Sequence, residues 1–152
     1  MASESWRGQL EAAAQRVAND DYVVEPVDFA VPRGDKLDEL ALANTFFRRI
    51  LFSTQQMQIV LMNIEPDDGG IGAEVHPYTS QFFYIVDGRG VAKLDTPAGR
   101  VAITLKRGRA FAVPANTPHA ILQIGEAPLK LYTIYAPPVH EPDMAPQRSA
   151  PD

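Results

Sequence analysis

The stretch GIGAEVHPYTSQFFYIVDG, residues 70–88, decides how the rest of the chain is read. It sets His76, one of three histidines, in a β-prone run closed by the turn Asp87-Gly88-Arg89-Gly90. A second stretch, GRAFAVPANTPHAILQ at residues 108–123, carries His119. Residues two apart on a strand share a face, so Glu74, His76 and Tyr78 have one parity, and so do His119, Ile121 and Gln123. If both faces turn to one interior, two imidazoles, an amide and a phenol converge. Neutral imidazole is the commonest metal ligand. A site with few protein ligands keeps positions open for water or substrate.

Working outward, the pattern on both sides is short strands and turns. Phe46–Phe52 and Gln56–Ile64 are β-prone runs. The second is apolar on both faces apart from Gln58 and Asn63, which predicts cover on both sides. Pro66-Asp67-Asp68-Gly69-Gly70 is a turn. Glu74–Tyr78 and Gln81–Val86 read as strands, and Val91–Asp95 and Arg100–Lys106 as a hairpin around Thr96-Pro97-Ala98-Gly99. Ala110–Val113, His119–Ile124 and Leu129–Tyr135 complete a set of nine. No helices alternate with them, which excludes a parallel sheet and favours a closed barrel or a jelly roll.

The flanks differ. Trp6, Leu10, Ala13, Ala14 and Val17 recur at helical spacing, predicting an amphipathic helix over Ser3–Ala18 with Ser3 as its cap. Residues 21–44 are mixed. The tail from Pro137 has five prolines in sixteen residues and reads as extended or disordered, with His140 exposed. The expected divisions are an N-terminal helix and arm at 1–45, a β-barrel at 46–138 and a Pro-rich tail at 139–152.

Composition excludes several classes of function. The chain has 152 residues and a formal charge of −5, with no basic stripe of the kind that nucleic acid requires. There are no cysteines, hence no disulfides and no thiolate site. Neither a secretory leader nor a membrane-length apolar run is present, so a cytoplasmic protein is expected.

The two histidine stretches resemble the paired motifs of the cupin superfamily. The first motif is G-x5-H-x-H-x3,4-E-x6-G. Gly70, His76 and Gly88 match it, Tyr78 stands at the second histidine, and Gln81 stands one residue before the glutamate. The second is G-x5-P-x-G-x2-H-x3-N. Gly108, Pro114 and His119 match it, Asn116 replaces the glycine and Gln123 the asparagine. Asn tolerates the left-handed backbone that a glycine there serves. The runs FFRRILFSTQQMQIVLMNIEP and LKLYTIYAPP are similar to small single-domain bacterial cupins of the cupin-2, mannose-6-phosphate-isomerase-like type. The resemblance implies an all-β fold, a double-stranded β-helix or jelly-roll barrel, here with an N-terminal helix, and a homodimer.

It also implies one divalent transition metal (Zn, Fe, Mn or Ni), with His76, Gln81 and His119 as ligands. Tyr78 and Glu74 are then the candidate acid–base groups, and Glu74 is also a candidate for the missing carboxylate. Arg48 and Arg49 are adjacent, so one faces in and one out. Arg49, Gln123 and Met62 are the expected substrate contacts, although Met62 also reads as packing. The expected function is a small metal-dependent enzyme acting on an anionic or carbohydrate-like molecule, of isomerase, lyase or dioxygenase type. The alternative is a non-catalytic sugar- or small-molecule-binding module with a degenerate site.

Overall fold

A computed structural model describes residues 34–151 together with Gly8. The expected helix at Ser3–Ala18 lies outside the described residues. The order is a short helix α1 (Leu37–Ala43), then β1 (Arg49–Ser53), β2 (Gln58–Ile64), β3 (Gly70–Glu74), β4 (Ser80–Asp87), β5 (Arg89–Thr96), β6 (Gly99–Lys106), β7 (Ala110–Val113), β8 (His119–Ile124) and β9 (Leu129–Ala136). Five strands form one sheet in the order β1-β2-β9-β4-β7, and four form another in the order β3-β8-β5-β6. All the strand pairs are antiparallel. This is the all-β jelly-roll barrel expected.

The period-two pattern explains the layering. On β9, Leu129, Leu131, Thr133 and Tyr135 are buried and alternate with half-buried Lys130, Tyr132 and Ile134. The main core lies between the sheets, where Val60, Met62, Phe83 and Leu131 meet Ile71, Ala92, Leu105 and Ile121. A second cluster covers the outer face of the larger sheet. There α1 lays Leu37, Leu40 and Ala41 against Leu51, Leu61, Val86 and Tyr132. This is why β2 is apolar on both faces, each buried Leu or Met contributing about 1.5–3 kcal/mol. Among the described residues, no helix is long and apolar enough to cross a membrane.

Two local expectations are corrected. The strand expected at Glu74–Tyr78 ends where it was to begin, because β3 spans Gly70–Glu74. Pro77 lacks an N–H and restricts His76, so the ladder cannot continue. The Pro-rich tail is neither loose nor free. Gln58 Nε2 donates to the His140 carbonyl at 2.8 Å, and Gln58 Oε1 accepts from His140 N at 3.1 Å. Arg48 and Gln147 exchange backbone bonds of 3.3 and 2.9 Å. Ala150 N donates to Asp68 Oδ1 at 2.9 Å, and Met144 packs on the core. Prolines remove donors, but the barrel supplies partners for the amides and carbonyls that remain.

Candidate metal centre

β8 begins with His119, and its register with β3 sets His119 directly opposite Glu74. His76 sits just beyond β3, in the connection to β4. That connection is pinned by a bond from the Asn116 amide to the His76 carbonyl, 2.8 Å long. Asn116 has φ +61°, the left-handed backbone that its place in the second motif implied. The loop before His119 thus holds the loop bearing His76. The imidazole centroids are 5.5 Å apart.

Glu74, His76 and His119 form a group whose ligand atoms all lie within 4.8 Å of one another. Glu74 Oε2 is 3.3 Å from His76 Nε2. The His119 Nδ1 lies 2.8 Å from the Thr117 carbonyl. A carbonyl only accepts, so Nδ1 carries the proton and Nε2 carries the lone pair. The Nε2 atoms of both histidines are buried without a hydrogen-bond partner. Buried polar atoms are rarely left so, and two facing one carboxylate fit the donor set of a divalent metal. The carboxylate comes from Glu74, at the end of β3, rather than from β4, where the family's glutamate stands.

The other expected site residues are dispersed. Tyr78 is 87% exposed, so the phenol expected beside His76 is not in the barrel. The strand that was to align them has already ended. Arg49 is exposed on β1, whereas Arg48 is 6% exposed, so the inward arginine is the other of the pair. Gln123 donates to the Gly125 and Ala127 carbonyls at 2.8 Å each, bracing the β8–β9 turn instead of lining the interior. Met62 is wholly buried in the main core, as packing. Gln81 is buried, with Nε2 donating to Thr133 Oγ1 at 2.9 Å and Oε1 unpartnered.

The interior phenol is Tyr135, which the sequence placed only at the end of the last strand. It stands on β9 between Gln58 and Gln81. Its ring meets the His76 ring edge-on with centroids 5.8 Å apart, and Arg48 and Gln81 lie by its hydroxyl. Burial pushes the hydroxyl up to about 12, so it holds its proton at neutral pH. The readable signal was parity, since Gln58, Tyr135 and Gln81 are inward polar residues on adjacent strands, and a buried tyrosine hydroxyl needs partners.

His140 is half-buried, not exposed, with its ring edge-on to Tyr135 at 5.2 Å. Burial, then the positive charges of Arg48 and His76, lower its pKa to about 4 from the ordinary 6.5. Between those values the unfolded chain binds the proton and the folded one does not. Stability is therefore lost as pH falls from 6.5 to 4. In chelator-treated protein the melting temperature is expected to drop across that window. The drop should be shallower in His140→Gln; identical slopes would show that this ring does not drive it.

The cupin domain family model matches residues 60–135. The uncharacterized protein YrkC of Bacillus subtilis (strain 168) is 34% identical over 122 residues, 79% of this chain and 62% of that protein. The uncharacterized protein L612 of Acanthamoeba polyphaga mimivirus is 34% identical over 105 residues, 68% of this chain and 64% of that one. The chain therefore spans less than two thirds of the length of either. Among solved structures, BH2720 from Bacillus halodurans superposes with a TM-score of 0.71 at 32% identity, covering 78% of this chain and 90% of that chain. With half of the chain, including every strand from β3 to β8, inside the matched domain and the barrel laid out as above, the chain belongs to the cupin family.

Proposed function

We propose that the chain is a metal-dependent cupin acting on a small anionic or carbohydrate-like molecule. Glu74, His76 and His119 would hold one divalent transition metal. The observation that carries this reading is the pair of buried, unpartnered Nε2 atoms beside a carboxylate. Such an ion supplies a Lewis acid that polarises a carbonyl or acidifies a water. The chain's own residues do the rest. Glu74 offsets one of the two charges, and the Thr117 carbonyl fixes the His119 tautomer. Tyr135, beside His76, keeps a neutral hydroxyl able to donate a hydrogen bond to a bound molecule. A homodimer belongs to this reading, with exposed Leu122 and Ile124 of β8 offering apolar outer surface.

The test is titration of chelator-stripped protein with Zn, Fe(II), Mn and Ni. One equivalent is expected to bind, stabilising the fold by about 2.7 kcal/mol at a hundredfold excess over Kd. No binding and no thermal shift with any of the four would end the proposal. A binding module without turnover is the second reading, favoured by the position of Tyr78 outside the barrel. Metal-loaded protein that binds small acids or sugars but converts none on a panel of phosphosugars, β-diketones and hydroxy acids would select it.

A further inference from the structure

Arg48 is 6% exposed, yet no carboxylate of a described residue pairs with it. Its Nη1 donates to Gln147 Oε1 at 2.7 Å, and that amide is neutral. Its Nε is buried without a partner. The other neighbours are the Phe47 ring, 5.2 Å below Cζ, and the Tyr135 hydroxyl. A buried guanidinium held only by neutral groups is costly, and a counter-anion on its unpartnered donor would relieve that cost.

The surroundings show where that anion would come from. Arg48 and Glu74 line the same cleft, about 390 Å³ in volume, between β3 and the tail residues Ala150 and Pro151. Asp68, also on its wall, has both oxygens engaged, taking the Ala150 amide on Oδ1 and the Glu65 amide on Oδ2. It makes no ion pair with Arg48. Gln147 occupies Nη1 and leaves Nε a buried donor without a partner, on a planar group whose shape suits a carboxylate.

We propose that Arg48 is an anion-recognition residue whose Nε edge takes the carboxylate of a small organic acid entering through this cleft. The acid's other end would then face Glu74, His76 and His119; that part rests on the metal reading, whereas capture by Arg48 does not.

The experiment separates the two. Chelator-stripped and metal-loaded protein are each titrated with glycolate, lactate and malonate, and with the neutral amides of glycolate and lactate. Inorganic phosphate is run beside them. In stripped wild type the carboxylates should bind and raise the melting temperature, and the amides should not. Arg48→Met should weaken carboxylate binding by roughly tenfold or more, with metal content unchanged. Arg48→Lys keeps the charge without the fork and should fall between, which covers a Met variant that does not fold. The proposal is overturned if stripped wild type binds no carboxylate, if phosphate alone binds, or if both variants bind as wild type does. Carboxylate binding in a protein that takes up no metal would sink the metal reading and leave Arg48's role standing.

Discussion

Replacing His119 with alanine is expected to leave the purified protein with almost no bound metal. The affinity loss should exceed the roughly 10–100-fold that removal of a mere outer partner of a metal ligand costs. His119 is 5% exposed, its tautomer is fixed by the Thr117 carbonyl, and its Nε2 has no other partner. His76→Ala should act alike. Glu74→Gln preserves shape but removes the only carboxylate of the group, so metal content should fall steeply there too. Gln81→Ala and Tyr78→Phe should leave it near wild type, because Glu74 supplies the oxygen ligand in place of Gln81 and the Tyr78 ring lies in solvent. Elemental analysis of all five, purified without chelator, checks the set. Wild-type metal in His119→Ala would refute the centre; full metal in Glu74→Gln with loss in Gln81→Ala would move the third ligand to β4.

That contrast shows what the sequence could and could not convey. The two histidines were legible because their spacing to glycine and proline is a turn-chemistry signal, local and rigid. Asn116 was legible for the same reason, and its positive φ follows. Parity was less reliable. Glu74, His76 and Tyr78 share parity only on a continuous strand, and Pro77 ends that continuity. The tyrosine is thrown outward, while Glu74 meets His119 through strand pairing, a non-local fact. Arg48 and Arg49 had opposite faces, but which faced inward depends on where β1 enters the sheet.

Tertiary partners account for the remaining gaps. Helix α1 is seven residues long and has no side-chain cap at Lys36, so its signal is weak, and packing of Leu37, Leu40 and Ala41 sustains it. The tail's composition describes intrinsic propensity alone. Its order comes from Gln58, Arg48 and Asp68, which lie more than eighty residues upstream. Tyr135 was placed on the last strand correctly, but its polar company depends on three strands lying side by side.

Gly88→Ala is expected to be among the most damaging single methyls that could be added to the described residues. Gly88 is the corner between β4, in one sheet, and β5, in the other, and its φ is +85°. Left-handed backbone costs a residue with a Cβ about 1–2 kcal/mol. There is no room for the methyl either. A Cβ would stand 2.2 Å from the Pro128 carbonyl oxygen and 2.8 Å from Leu129 Cα. Both obstacles are backbone, so no rotamer change relieves them. Relief requires moving the start of β9, where Leu129 is wholly buried, and β9 pairs with both β2 and β4. Overpacking of this kind adds roughly 1–3 kcal/mol, for a combined loss of about 2–5 kcal/mol. Total stabilities are about 5–15 kcal/mol, so the loss is a large share of the whole. Gly108→Ala is the matched control, having φ +83° and nothing within 4 Å of the added carbon. It should lose only the left-handed strain. Denaturant unfolding of the two variants therefore isolates the clash as their difference, and equal losses would show that the corner can yield where the packing says it cannot.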